Sequence, residues 1–229
     1  MINHYKESSF FMRLRNSSKR SWNDFVLHPF VIALGNGSLP EQAFRHYLMQ
    51  DYLFLIDFAR VWGLATYKSK TLEDIETASI NLKAILEVEI KLHVEYCEKW
   101  GINQCDLEST LREPETSSYI NYVMNCGLEG SLLDLHVALA PCIIGYGEIG
   151  SRLNKESYAL PSNPYSSWIK IYSGPDYQNT VIQAVDTLER LSKNVTGEEK
   201  YLKLTKIFNT ATKLEKQFWD MGMRNGPSS

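Results

Sequence analysis

The sequence is poor in the features that several common function classes need. Its four cysteines, Cys97, Cys105, Cys126 and Cys142, fall at irregular spacings with no Cys-x-x-Cys pair. That excludes a zinc-ribbon framework and a disulfide scaffold. Basic residues are in no excess, since 24 Lys and Arg face 27 Asp and Glu and leave a net charge of −3. A protein that grips phosphate backbones carries a basic surplus, so nucleic acid is not an expected partner. The longest mostly apolar run, Val137 to Gly147, is too short to span a bilayer and contains Pro141. The first residues, Met1 to Glu7, lack the basic-then-apolar order of a signal peptide. The expectation is a soluble protein of a reducing, cytoplasmic compartment, where the sequons at Asn16, Asn36 and Asn194 carry no weight.

Proline is absent between Glu41 and Glu113, and that span holds only Gly63 and Gly101 as glycines. Such a stretch supports long helices and lacks the turn clusters that strands need. A hydroxyl residue with a carboxylate three positions on marks a helix start four times. These are Ser38 with Glu41 (Pro40 in the first turn), Thr71 with Asp74, Ser131 with Asp134, and Thr196 with Glu199. The pattern predicts helices near 7–27, 39–69, 72–100, 115–126, 131–154, 164–173, 176–194 and 197–224. Breaks are expected at Asn36-Gly37, Ser69-Lys70, Gly101, Gly127 to Gly130, Leu160 to Pro164 and Ser173 to Pro175. None resembles an interdomain linker. The reading is a single all-α domain over 1–229, a multi-helix bundle.

In a bundle, positions spaced alternately by three and four residues face the core. Following each long helix this way shows which polar side chains interrupt the apolar stripe. Phe44, Leu48, Asp51, Leu55, Phe58 and Trp62 place a carboxylate in mid-stripe. Asp51 is therefore either bonded to a core Tyr or Arg, or turned to an internal cavity. On the next long helix Glu89 and His93 lie one turn apart on a stripe with Tyr96 and Trp100. A four-helix diiron site would need Glu-x-x-His from two helices, whereas this is a single Glu-x-x-x-His. A pair that supports the fold or a neighbouring site is expected, and no metal. Cys142 and Tyr146 share a face just after Pro141, which removes a backbone donor and loosens the helix. A buried cysteine is usually inert, and a nucleophile needs a polar, accessible pocket. Glu215 stands in mid-stripe between Phe208 and Phe218. Two inward carboxylates, an inward thiol and the tyrosines Tyr119, Tyr146 and Tyr172 together point to an internal polar cavity.

Gly145-Tyr146-Gly147-Glu148-Ile149-Gly150 matches the G-x-G-x-x-G pattern of dinucleotide sites. That motif follows a strand, and here a helical stripe containing Pro141 precedes it. Close helix packing, or room beside a ligand, suits these glycines better. No Gly-x-Ser-x-Gly occurs, so a serine-hydrolase triad is not expected either.

With these residues in place, the chain resembles the TenA family, also called thiaminase II or aminopyrimidine aminohydrolase, from about His28 to Trp219. The likeness runs through His28-Pro29-Phe30, Tyr47-Leu48-Met49-Gln50-Asp51-Tyr52, Glu89-x-x-x-His93 and Tyr119-Ile120-Asn121-Tyr122. It continues through Ala140-Pro141-Cys142-x-x-Gly145-Tyr146, Trp168-x-x-x-Tyr172 and Glu215-x-x-Phe218-Trp219. The Pro-Cys pair matches the cysteine-containing branch. The resemblance implies a heme-oxygenase-like helical fold without metal or organic cofactor, and a homotetramer. It implies hydrolysis of 4-amino-5-aminomethyl-2-methylpyrimidine to the hydroxymethyl pyrimidine and ammonia, with slower cleavage of thiamine. Cys142 would be the nucleophile and Glu215 the proton donor. Asp51 would hold the aminopyrimidine edge, with Phe54, Tyr119, Tyr146 and Tyr172 lining the pocket. Phe54 departs from the aromatic hydroxyl often found at that position, which bears on substrate preference. A non-catalytic relative that only binds a pyrimidine or regulates is the alternative, and a metal or heme protein of the same fold a weaker one.

Overall fold

The computed structural model describes residues 9–157 and 162–224; every element among them is helical. The expected all-α multi-helix bundle is what is observed. The described residues form two compact units, one of residues 40–135 with 220–224 and one of residues 9–39 with 136–157 and 162–219.

In the first of these, α4 (Glu41–Lys68) is the axis. Around it pack α5 (Leu72–Ala84), a π-turn (Ile85–Glu89), α6 (Ile90–Glu98), α7 (Gln104–Ser109) and α8 (Pro114–Glu129). Because α4 has neighbours on several sides, it buries residues all round and not along one stripe. Thr71 caps α5 as expected, its hydroxyl accepting from the Asp74 N–H. The helix expected over 72–100 is interrupted by the π-turn. The sequence pattern missed α7, although Asn103 and Asp106 close a capping box at its start. Gly127, taken as a break, lies inside α8. A side chain there would meet Leu64 at 2.7 Å and Leu135 at 3.0 Å, so glycine lets α8 approach α4 closely.

The second unit holds α1 (Phe10–Ser17), α2 (Lys19–Val26), α3 (Pro29–Gly35) and most of α9 (Leu132–Ala140). A π-turn (Pro141–Gly145), α10 (Tyr146–Ser157), α11 (Ser166–Ser173), α12 (Pro175–Ser192) and most of α13 (Glu198–Met223) complete it. The helix expected over 7–27 is divided at Ser18, and its first two positions lie outside the described residues, as does part of the break at 160–164. α3 was not expected. His28 caps it by accepting from the Phe30 N–H at 3.2 Å, with Pro29 supplying the first helical φ. Ser131 and Asp134 cap α9 reciprocally, as the pattern predicts.

Two expected caps differ. Ser38 bonds the Asn36 side chain through its own N–H, and α4 starts after Pro40 with no side-chain cap. α13 starts at Glu198, one residue too late for a Thr196 cap, after Gly197 turns the chain at φ 93°. The segment Leu132–Glu156 is long and apolar enough to cross a membrane by composition, more than the sequence reading allowed. Its most apolar 18-residue window is 83% buried inside the protein, as a core helix is.

Candidate active site

Asp51 sits in the middle of α4 and is 5% exposed. Its Oδ2 accepts two hydrogen bonds, from Tyr47 Oη at 3.0 Å and from His93 Nε2 at 2.7 Å. Tyr47 lies one turn earlier on the same helix, and His93 reaches across from α6. Oδ1 makes no hydrogen bond among the described residues, and the side chain keeps 8% of its surface accessible. The carboxylate is held by one oxygen and open at the other. Tyr47 is the core tyrosine partner that the sequence reading allowed for.

His93 is fully buried, and its Nδ1 lies 2.7 Å from the Glu89 backbone carbonyl. The expected bond along this helix thus exists, but it uses the Glu89 main chain. Burial alone favours a neutral imidazole. The hydrogen bond and charge of Asp51, with the Glu89 carbonyl and carboxylate, outweigh it and raise the His93 proton affinity. Burial pushes the Glu89 carboxyl up to about 7, opposed by His93 and reinforced by Asp51. Further along α4, Phe54 stacks on Tyr119 of α8, with ring centroids 5.0 Å apart and planes 26° from parallel. Tyr119 and Phe54 are both buried, so this face offers an aromatic plate three residues from the open Asp51 oxygen.

In the other unit, Cys142 occupies the π-turn that Pro141 opens. Proline has no N–H to give to the preceding turn, and the helix accommodates the loss by a wider turn, a distortion common at functional positions. Cys142 is half-buried, whereas Cys97 is fully buried with its thiol pushed up to about 11 by burial, against the nearby Arg45 charge. Of these two thiols, only Cys142 has access to solvent. Tyr146 and Tyr172 pack with centroids 5.1 Å apart, and Trp168 and Trp219 extend the cluster at 4.4 Å from Tyr172 and 5.3 Å from Tyr146. Glu215, one turn before Trp219 on α13, is 1% exposed.

The glycine motif is explained by packing. A side chain at Gly145 would meet the Phe25 ring at 2.2 Å, at Gly147 it would meet Val181 at 2.4 Å, and at Gly150 the Tyr172 backbone at 2.5 Å. Among the described residues no group of three His, Cys, Asp or Glu side chains could hold a metal ion. Sequence reasoning did not single out Tyr47 as the partner of Asp51. Its spacing of four from Asp51 was the available signal.

These clusters stand on a chain whose residues 15–225 match the sequence profile of the TENA/THI-4/PQQC family. The chain belongs to that family. It is 37% identical over 213 residues to the aminopyrimidine aminohydrolase of Halalkalibacterium halodurans, covering 93% of this chain and 95% of that one. A crystal structure described as a TenA family transcription regulator from Silicibacter sp. TM1040 is 40% identical with a TM-score of 0.88, covering 94% of this chain and 97% of that one. A domain with a heme oxygenase-like fold from Shewanella denitrificans OS217 superposes with a TM-score of 0.71 at 14% identity, covering 92% of this chain and 90% of that one. The last likeness concerns the fold alone, and the fold is heme-oxygenase-like.

Proposed function

We propose that this TenA-family protein is an aminopyrimidine aminohydrolase of thiamine salvage. It hydrolyses 4-amino-5-aminomethyl-2-methylpyrimidine to the 5-hydroxymethyl pyrimidine and ammonia, and cleaves thiamine to the same pyrimidine and the thiazole. The observation that carries the reading is Asp51. One of its oxygens is pinned by Tyr47 and His93 and the other is open, beside the Phe54–Tyr119 stack, in a chain 37% identical to a named aminopyrimidine aminohydrolase. An aminopyrimidine presents an amino donor on a flat ring, and an open carboxylate oxygen next to an aromatic plate complements both.

In the reaction we assign to it, the Cys142 thiolate adds to the pyrimidine ring and breaks its aromaticity. Glu215 delivers a proton to the leaving amine, which departs as ammonia and leaves an exocyclic methylene. Water then adds to that methylene, its proton returns to the carboxylate, and the thiolate is expelled as the ring regains aromaticity. Tyr146 and Tyr172 steady these groups from the aromatic wall. Phe54, lacking the hydroxyl common in the family, contributes stacking only and shifts substrate preference.

The same reading makes this a soluble, cytoplasmic enzyme that assembles as a homotetramer. Leu72, Ile80, Leu86 and Val88, between 49% and 70% exposed on α5 and the turn that follows it, are side chains that a second copy would cover. The test of the function is incubation of the purified protein with the aminomethyl pyrimidine. Stoichiometric ammonia and hydroxymethyl pyrimidine are expected. Saturable binding with no ammonia would instead establish a pyrimidine-binding relative.

A further inference from the structure

We propose that His93 and Tyr47 are positioning residues that act on substrate through Asp51. They hold one carboxylate oxygen as a charged, two-donor clamp so that the other oxygen is presented as a fixed acceptor to the amino group of the substrate. The inference rests on the aminopyrimidine reading above and adds the charge state and the residues that set it.

The hydrogen-bond geometry limits where the protons sit. The Glu89 carbonyl can only accept, so the His93 Nδ1 that faces it at 2.7 Å carries a hydrogen. Nε2 faces Asp51 Oδ2 at 2.7 Å, and that oxygen already accepts from Tyr47 Oη. Opposite an ionised Asp51 both ring nitrogens face acceptors, and the imidazole donates from both as an imidazolium, in line with its raised proton affinity. Asp51 is its counter-ion, so the carboxylate remains an acceptor at the oxygen left open. A neutral carboxylic acid could place a hydrogen on that oxygen and meet the amino group donor to donor. The charges acting on His93 come from Asp51 on α4 and Glu89 at the end of the π-turn. Tyr47 is the further titratable group in contact with Asp51.

Glu89 and His93 are four residues apart, so the Glu89 carbonyl and the His93 ring lie on the same side of the helix, where the carbonyl orients the ring toward α4.

Two variants and one spectroscopic measurement test the proposal. In the wild-type protein, nitrogen NMR of the histidine rings should show one imidazolium that persists to higher pH than the other histidines, and Asp51→Asn should abolish it. His93→Gln keeps a donor but removes the charge. It should raise KM for the aminomethyl pyrimidine about tenfold with kcat within about threefold, and move the acid limb of kcat/KM to higher pH by at least half a unit. That tenfold change corresponds to about 1.4 kcal/mol of binding. Tyr47→Phe should move the same limb in the same direction by less, and it is the decisive variant if His93→Gln does not fold. An unmoved acid limb in the folded variants, or a neutral His93 at pH 7, overturns the clamp. Wild-type protein that releases no ammonia but shows the persistent imidazolium would overturn the aminohydrolase reading and leave the charge assignment standing.

Discussion

A carboxylate in the middle of an apolar stripe is costly unless its charge is compensated, and Asp51 shows how the cost is met with one oxygen still open. Its two partners come from different helices, which ties the orientation of the acceptor to the packing of α6 on α4. Asp51→Asn presents a donor where an acceptor is needed, so it should raise KM strongly. Glu215→Gln should lower kcat with a smaller effect on KM and remove one limb of the pH–rate profile. Steady-state kinetics of both variants across pH decide this, and a Glu215→Gln enzyme altered only in KM would remove Glu215 from proton transfer. Cys142→Ser should lower kcat by more than tenfold, over about 1.4 kcal/mol in barrier, because a hydroxyl is a far poorer nucleophile. Mass spectrometry after alkylation should show protection by a bound pyrimidine at Cys142 and none at Cys97, whose buried thiol resists ionisation. Protection at Cys97 would mean that the nucleophile sits on the other helix.

At the scale of elements, the two π-turns have different origins. The one at Pro141–Gly145 follows directly from proline, whose missing N–H was legible in the sequence. The one at Ile85–Glu89 has no proline or glycine and lies against α4. α10 is held close to its neighbours by glycines, and Gly150 is the most demanding of them because it meets main chain. Its missing side chain would lie 2.5 Å from the Tyr172 carbonyl carbon. Main chain cannot swing aside as a leucine tip can, so Gly150→Ala should destabilise the protein by about 1–3 kcal/mol through displacement of α11. Chemical denaturation measures this, and the displaced Tyr172 should lower activity at temperatures where the variant is still folded. A variant as stable as wild type would show that α11 can move freely.

For the whole molecule, Glu89 makes stability depend on pH. Its carboxyl titrates near 4.5 when unfolded and at about 7 when folded. Between these values the folded protein binds more protons than the unfolded chain, so stability falls as pH rises from about 4.5 to 7, and the full loss applies above 7. Glu89→Gln removes that group. Its stability relative to wild type should therefore increase between pH 5 and pH 8, by about 1–3 kcal/mol after allowance for partial exposure. Urea denaturation at the two pH values gives the difference directly, and an unchanged difference would show that the Glu89 carboxyl titrates normally in the fold.

Local rules written in the sequence determined the helical class, the Thr71 and Ser131 caps, the loosening at Pro141 and the inward carboxylates. Proline, glycine and hydroxyl residues act within one turn, and apolar spacing acts along one helix, so no distant contact is needed to read them. The tertiary structure alone decided the rest. Gly127 stays inside α8 because Leu64 and Leu135 pack where a side chain would stand. The same holds for the central pair. Periodicity could place Asp51 and His93 on inward faces, but the two are 42 positions apart, and only the packing of α6 on α4 sets which oxygen of Asp51 is bound and which is left open.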